Sequence, residues 1–514
     1  MDYISTRGKS KPVKSKEAIM KGLAPDGGLY VPELIPEVSL EYVESLAHKT
    51  YSETALSILS LFLTDFSENE LREAASLAYC AENFDDSDIA PVREIRSSGF
   101  GFKTGGYVGA DPIYVLELFH GPTCAFKDLA LQLLPRLLVM ASAASGDCGE
   151  TVILVATSGD TGKAALEGFK DVPGTRIVVF YPENGVSEVQ KLQMVSQRGG
   201  NVAVIAVKGN FDDAQTGVKI IFRDAEFQSD LLRSGMKLSS ANSINWGRLA
   251  PQIAYYFRAY AQLILKGVIT PGEKVTFTVP TGNFGNILAG WYAYKMGLPV
   301  KKLVCASNSN KVLTDFINTG VYDRRREFVT TMSPSMDILI SSNLERLLFE
   351  IADRDAPLVR QWMQCLSEQG AYDVGERGKK RVREIFWGGF ATEEETSEII
   401  REVFSGCNYL MDTHTAVGMK VYCDYKTSTG DGAPAIIVST ASPYKFARDV
   451  LESIEGEGRI PDDEIECLNK LESVSGVIIP DPLKDIDKRR RIHFASTEKE
   501  DMKTALEEAL SRKE

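Results

Sequence analysis

Lys127 stands in the stretch Phe119-His120-Gly121-Pro122-Thr123-Cys124-Ala125-Phe126-Lys127-Asp128, between two apolar runs. Ile113 to Leu118 reads as a strand, and Leu129 to Met140 as a helix bent at Pro135. Gly121-Pro122 marks the turn between them. The lysine therefore falls near a helix N-terminus among apolar neighbours. Burial penalises its ammonium and the positive helix end penalises it further, so both favour the neutral amine that attacks an aldehyde. Asp128 acts in the opposite sense. A lysine here can also extend past the apolar surface into water, so the chemical reading depends on the rest of the chain.

Three further segments are built to hold anions. Thr157-Ser158-Gly159-Asp160-Thr161-Gly162 joins the strand Thr151 to Ala156 to a helix from Lys163. A strand, a polar glycine loop and a helix start leave N–H groups and hydroxyls for an anion. This is not a nucleotide P-loop, because Thr157 stands where that motif needs Gly and Ala follows Lys163. Thr281-Gly282-Asn283-Phe284-Gly285-Asn286 repeats the arrangement after the strand Lys274 to Pro280. Its two glycines let backbone N–H groups close on an anion. Ser239-Ser240-Ala241-Asn242-Ser243-Ile244-Asn245-Trp246-Gly247-Arg248 offers short polar donors and one guanidinium, whose planar fork suits a phosphate. Each segment, taken alone, is also an ordinary capped helix start.

The elements around these segments alternate. Strands at Thr151 to Ala156, Ile177 to Tyr181 and Asn201 to Val207 are separated by helical stretches, which predicts an α/β fold with a sheet that is at least partly parallel. Before them, Tyr42 to Leu63 and Glu68 to Ala81 carry helix-period apolar residues, and Asp85-Asp86-Ser87-Asp88 with Pro91 forms a polar break. This divides the chain into an N-terminal domain, 1–95, and a catalytic region, 96–514, with a smaller subdomain at about 130–240. The charged, helix-like text from Leu344 to Phe404 reads as a solvated helical insertion, and the tail from Lys484 as peripheral.

The chain has 514 residues, 44% hydrophobic and 25% charged, and a net charge of −13. That composition is soluble and globular, and its acidity argues against nucleic acid and anionic membranes as partners. The eight cysteines include no C-x-x-C pair and the four histidines are scattered, which argues for reduced thiols and against a metal site. The opening Met1-Asp2-Tyr3-Ile4-Ser5 lacks the pattern of a secretory signal, so a cytoplasmic enzyme is expected.

The decapeptide resembles F-H-G-P-T-x-A-F-K-D, the pyridoxal-phosphate lysine segment of threonine synthases. The resemblance continues in order from Ser5 to Phe446. Ser5-Thr6-Arg7-Gly8 and Gly22-Leu23-Ala24-Pro25-Asp26-Gly27-Gly28-Leu29-Tyr30-Val31-Pro32 resemble that family's N-terminus. The Ser240 to Arg248 segment resembles its S-A-N-S-I-N-x-x-R, and Ser333-Pro334-Ser335-Met336-Asp337 its S-P-S-M-D. Pro280 to Gly285 resembles the phosphate cup P-[ST]-G-N-F-G of fold-type II (tryptophan synthase β-like) pyridoxal-phosphate enzymes. Asp412-Thr413-His414-Thr415-Ala416-Val417 resembles D-x-H-[TG]-A-V, where His414 supports the site or caps a helix. Thr440-Ala441-Ser442-Pro443 stands where many relatives have T-A-H-P, so the work of that imidazole must be done differently here.

The resemblance implies a fold-type II enzyme with parallel-rich sheets flanked by helices. It implies pyridoxal 5'-phosphate attached to Lys127, its phosphate in Gly282, Asn283, Phe284, Gly285 and Asn286, and its ring nitrogen at the Thr440 hydroxyl. Ser158, Gly159, Asp160 and Thr161 would grip the substrate's α-carboxylate, and Asn242, Ser243 and Arg248 its phosphate. The implied reaction converts O-phospho-L-homoserine and water to L-threonine and phosphate, in a monomer or homodimer. The alternatives are a phospho-lyase releasing 2-oxobutyrate and an inactive paralogue that only binds the cofactor; the intact Lys127 and T-G-N-F-G-N loop argue against the latter.

Overall fold

A computed structural model of the chain describes residues 1–96, 112–144, 149–157, 159–183, 186–456 and 458–511. Two sheets position the site. The larger has the strand order Phe386–Phe390, Val300–Ser307, Val275–Pro280, Ala435–Ser439, Ile113–Glu117, Val92–Ile95. Its first five strands are parallel and the last is antiparallel. Val275–Pro280, Ala435–Ser439 and Ile113–Glu117 are buried at every residue, as strands covered on both faces must be. The smaller sheet is all parallel, in the order Ala495–Glu498, Val202–Lys208, Thr175–Pro182, Glu150–Ala156, Met236–Ser239. The α/β expectation with parallel-rich sheets and flanking helices is met.

The helix Trp246–Leu265 is buried over nearly its whole length, so its aromatic residues recur on every face. Trp246 meets Tyr3 and Phe62 of the N-terminal region at ring separations of 5.4 and 5.6 Å. Full burial of one such side chain stabilises by about 1.5–3 kcal/mol. The N-terminal region itself is a small antiparallel sheet, Val13–Lys14, Asp2–Ser5, Tyr30–Pro32, with helices Tyr51–Phe62 and Glu68–Ala78. Thr50 with Glu53, and Ser67 with Glu70, start those helices as reciprocal capping boxes. Val92–Ile95, assigned by sequence to the N-terminal domain, is the antiparallel edge of the larger sheet.

Three sequence expectations need correction. The run after Lys127 is two helices, Asp128–Leu131 and Leu134–Ala144, rather than one bent helix. Pro135 has no N–H for the Leu131 carbonyl, and its ring would collide with that carbonyl in a continuous helix, so the chain restarts with proline in the first turn. Within 344–404, Phe386–Phe390 is an edge strand of the larger sheet and Ala371–Asp373 pairs with Val321–Asp323, so the segment is not a helical insertion throughout. The tail is not peripheral. Ala495–Glu498 adds a strand to the smaller sheet, and helix Met502–Ser511 buries Met502, Leu506 and Leu510 in the same core as Val218, Ile221 and Phe227. The smaller unit therefore takes its last strand and helix from the end of the chain.

Candidate active site

The Lys127 loop is clasped by the loop after Ala435–Ser439. Leu118 N–H donates to the Ser439 carbonyl (3.0 Å), Phe126 N–H to that of Thr440 (2.9 Å) and Ser442 N–H to that of Cys124 (3.0 Å). Ser442 accepts from Tyr444 N–H and starts the short turn Pro443–Phe446. Asp128 is not the counterion of Lys127. Its carboxylate accepts from Thr123 N–H (2.9 Å) and the Thr123 hydroxyl (2.6 Å), closing its own turn, and burial pushes its pKa up to about 6.

The partner of Lys127 is Asp160, with Nζ 3.2 Å from Oδ2. Burial depresses the Lys127 pKa below the ordinary lysine value. Asp160 opposes that shift, while the nearby charges of Lys445 and Arg248 add to it. The direction favours an available amine, as expected from the sequence, and the opposing carboxylate is 33 residues away rather than the adjacent Asp128.

Asp160 begins helix Asp160–Phe169. Gly159 before it has φ +136°, and a Cβ there would fall 2.5 Å from the Gln190 side chain, so only glycine fits. Thr157 Oγ1 accepts from the N–H groups of Gly159 (2.9 Å) and Gly162 (2.8 Å). The first-turn amides of Asp160 and Thr161 have no acceptor within their own helix and are candidates for an anion. The Asp160 carboxylate is itself committed. It accepts from Lys445 (2.8 Å), Gln190 (2.9 Å), Lys127 and the Ser335 hydroxyl (3.4 Å). Burial would raise its pKa, yet the two ammonium groups hold it well below the carboxylate range. Ser158 lies outside the described residues. Lys163, the other lysine of this helix, donates to Glu167 and Gln197.

The second loop, Thr281 to Asn286, leads into helix Gly285–Lys295 through Phe284, which sits in the left-handed region at φ +61°. That conformation is strained for a bulky residue by roughly 1–2 kcal/mol. A Cβ on Gly282 would lie 2.6 Å from the Ser335 carbonyl oxygen, so the S-P-S-M-D segment packs directly on the loop. Ser335 N–H in turn donates to His414 Nε2 (3.2 Å), leaving Nδ1 to Asp412 (2.9 Å). His414 thus orients the loop cover. Asn343 donates twice to the Asn283 carbonyl, through its N–H (3.1 Å) and side-chain amide (3.0 Å). Asn286 Oδ1 accepts from Tyr255 (2.7 Å) and Tyr256 (2.8 Å). Its buried Nδ2 has no partner among the described residues. A buried donor left unpaired costs about 1–3 kcal/mol, and an anion in this loop would satisfy it.

Arg248 is buried in the first turn of Trp246–Leu265. Nη1 donates to the Ala241 carbonyl (2.7 Å), Nε has no partner, and no carboxylate pairs with the guanidinium among the described residues. Burial alone pushes its pKa down to about 10. A buried cation without a paired carboxylate among the described residues is a candidate anion site. Ser243 and Asn242, in the segment leading to this helix and next to the Ala241 carbonyl that Arg248 bonds, are partly buried. The Ser243 hydroxyl meets that of Ser342 (3.4 Å), which donates to Asn283 Oδ1 (3.3 Å). The Arg248 segment and the second glycine loop are therefore neighbours.

The N-terminal motif buttresses both. Arg7 pairs with Glu345 (2.9 Å), and the Thr6 hydroxyl donates to the same carboxylate (2.6 Å). The adjacent Arg346 is fully buried and donates to Tyr30 O (3.0 Å), Asn343 Oδ1 (2.5 Å) and Ile244 O (2.6 Å). Sequence reasoning missed Arg346, Asn343, Gln190, Tyr255, Tyr256 and Lys445. For Lys445 a signal was present, a lysine between two aromatic residues directly after Thr440-Ala441-Ser442-Pro443.

His120, inside the decapeptide, bonds Asp85 through Nδ1 (2.6 Å) and Glu117 through Nε2 (3.0 Å). Burial disfavours the charged ring, but the two carboxylates outweigh it and push the pKa up to about 9. The ordinary value is 6.5. A raised folded-state pKa contributes stability that is complete below the unfolded value and disappears as pH rises through the folded one. The melting-temperature advantage of the native protein over His120→Gln should be full at pH 6 and vanish by about pH 9.5. An advantage independent of pH would contradict this pairing.

The site thus consists of two buried lysines, Lys127 and Lys445, bridged by the Asp160 carboxylate, with glycine loops at the carboxyl ends of parallel strands. Three family models match the chain in order: "Threonine synthase N terminus" at residues 2–79, "Pyridoxal-phosphate dependent enzyme" at 102–361 and "Threonine synthase, C-terminal" at 415–492. The threonine synthase of Pseudomonas aeruginosa is 38% identical over 462 residues, covering 90% of this chain and 92% of that protein. The chain belongs to the threonine synthase family. The pyridoxal-phosphate-bound threonine synthase of Brucella melitensis superposes with a TM-score of 0.84 at 37% identity, covering 99% of this chain and 98% of that one. Yeast threonine synthase does so with 0.86 at 33% identity, covering 99% of each. Threonine synthase-like 1 of Homo sapiens is 42% identical over 449 residues, 85% of this chain, which spans 58% of that relative's length. Membership of the threonine synthase family agrees with the site's construction. The unpaired Asn286 amide in a glycine loop and the amine-favouring burial of Lys127 fit a phosphorylated aldehyde cofactor.

Proposed function

We propose that this chain is a threonine synthase: it converts O-phospho-L-homoserine and water to L-threonine and phosphate with pyridoxal 5'-phosphate. The observation that supports the reading is a pair of buried donors unpartnered among the described residues, Asn286 Nδ2 and Arg248 Nε, which make two candidate anion sites, the second close enough to Lys127 to act on its charge. A phosphorylated cofactor and a phosphorylated substrate require two. Lys127 would hold the cofactor, the loop Gly282 to Asn286 its phosphate, and Thr440 its ring nitrogen. When bound, the cofactor supplies the electron sink for carbanion chemistry at Cα and Cβ.

Each protein group then has a defined part. The first-turn amides of Asp160 and Thr161, with Ser158 and Gly159, bind the substrate carboxylate; the Asp160 side chain does not, being already engaged with Lys127 and Lys445. The freed Lys127 amine takes protons from Cα and Cβ and returns them at Cγ, once phosphate has left, and at Cα. Arg248, with Asn242 and Ser243, holds the phosphate before and as it leaves Cγ, where its charge develops. Water adds at Cβ. The net charge of −13 leaves nucleic acid and acidic membranes poor partners, and among the described residues no helix is long and apolar enough to cross a membrane. A cytoplasmic monomer or homodimer completes the proposal.

Incubation of the purified protein with O-phospho-L-homoserine tests it. Threonine and phosphate should appear in equal amounts. Phosphate with 2-oxobutyrate and ammonia in place of threonine would make the chain a phospho-lyase and overturn the reading.

The two tyrosines on Asn286 should set cofactor affinity. Without them the amide is free to rotate, and Nδ2 is no longer held in one orientation. Each such hydrogen bond contributes roughly 1 kcal/mol, so Tyr255→Phe with Tyr256→Phe should weaken pyridoxal 5'-phosphate binding by about 10- to 30-fold, read as an equilibrium dissociation constant. Unchanged affinity would mean that Asn286 does not meet the phosphate.

A further inference from the structure

Lys445 has no part in the scheme above, yet its surroundings are built for it. It lies in the turn Pro443–Phe446, whose four residues are all buried, and its own side chain is fully inaccessible. Its ammonium has three acceptors: Asp160 Oδ1 at 2.8 Å, Thr123 O at 3.0 Å and Gln193 Oε1 at 3.3 Å. Three acceptors match the three protons of a charged lysine, including one anion that offsets burial. The same Asp160 carboxylate reaches Lys127 through its other oxygen at 3.2 Å. One buried carboxylate thus bridges two lysines that are 318 residues apart in sequence (445 − 127 = 318).

The two lysines are not equivalent. In the proposed reaction Lys127 alternates between charged and neutral forms, while Lys445 is locked by its three contacts. Whenever Lys127 is neutral, Asp160 would be a buried carboxylate without a cation if Lys445 were absent. It would then favour taking up a proton and compete with Lys127 for the protons being moved. We propose that Lys445 is a positioning residue acting through Asp160: it keeps that carboxylate ionised throughout the cycle, so that Lys127 alone exchanges protons. The proposal rests on the reading of Lys127 as the cofactor lysine.

The other groups facing this pair leave that role to Lys445. Gln190 and Ser335 donate neutral hydrogen bonds to Asp160. Arg248 adds positive potential at Lys127 but has no contact with Asp160 among the described residues. Asp128 is turned to Thr123, Lys163 is paired with Glu167, the Cys124 thiol is pushed up to about 12 by burial, and His414 is separated from Asp160 by Ser335.

The test titrates the visible absorption of the cofactor-loaded enzyme between pH 6 and 10, which reports proton binding at the Lys127 nitrogen. Lys445→Met removes a cation near that nitrogen and should raise the midpoint by roughly one pH unit. Lys445→Gln, which keeps donors for the neutral acceptors, should do the same and serves if the methionine variant does not fold. Asp160→Asn removes the anion and should lower the midpoint by a similar amount, and Lys445→Arg should leave it in place. A merely structural Lys445 would lower stability without opposite shifts in the two classes of variant. An unmoved midpoint in Lys445→Met and Lys445→Gln, or a shift in Lys445→Arg as large as theirs, overturns the proposal. If the native protein shows no such band, the cofactor reading itself has failed, which is distinguishable before any variant is made.

Discussion

Lys127→Ala should abolish turnover of O-phospho-L-homoserine and leave the fold intact. The loss follows from the two tasks assigned to one amine, holding the cofactor and moving protons at adjacent carbons. General acid–base work alone is typically worth 10²–10⁴-fold, so a fall of roughly 10³-fold or more in kcat is expected. The fold should survive for a local reason. Truncating Lys127 removes one cation from Asp160 but leaves Lys445 at 2.8 Å and Gln190 at 2.9 Å, so the buried carboxylate is not orphaned. The backbone clasp between the Phe126 and Thr440 segments uses no Lys127 side-chain atom. Circular dichroism and the melting temperature, measured beside steady-state rates, separate the two effects. Residual turnover within tenfold of the native enzyme would remove Lys127 from the chemistry.

Arg248→Ala should lower kcat/KM for O-phospho-L-homoserine by roughly ten- to a hundred-fold, the cost of losing a charge-assisted bond of about 1.5–3 kcal/mol. Two features make this variant informative. The guanidinium has no carboxylate to leave unpaired among the described residues, and its one described contact is a backbone carbonyl. Its removal also relieves a buried charge. Stability should therefore change little, and cofactor binding should persist in the separate loop around Asn286. Deamination of L-serine, a slow substrate without phosphate, is the control. It should be nearly untouched by the substitution. Equal loss on both substrates would make Arg248 structural and move the phosphate site to the loop after Glu150–Ala156.

The core strands were legible because each is a short apolar, β-branched run ended by a polar loop, as in Thr151 to Ala156 before Thr157. The positions of the glycine loops were legible for the same reason, since the strand and helix on either side bracket them. What the sequence concealed was which side chains face one another. Asp128 is adjacent to Lys127 but serves its own turn, while Asp160 arrives from the next strand-loop-helix unit. Lys445 and Asn343 reach the site from loops hundreds of residues downstream, and no periodicity encodes such meetings. Phe386–Phe390 escaped because Phe-Trp-Gly-Gly-Phe lacks alternation and glycine weakens a strand signal. Ala495–Glu498 escaped because only Thr497 of its four residues is buried, so its place in the smaller sheet depends on backbone pairing.

Borohydride reduction of the purified protein followed by peptide mapping tests the central claim most directly. The protein should be yellow as isolated or after addition of pyridoxal 5'-phosphate, and reduction should abolish the colour. The pyridoxyl group should then be found on the peptide containing Lys127 and on no other. A label on Lys163, Lys445 or any other lysine, or a protein that takes up no cofactor, would contradict the account.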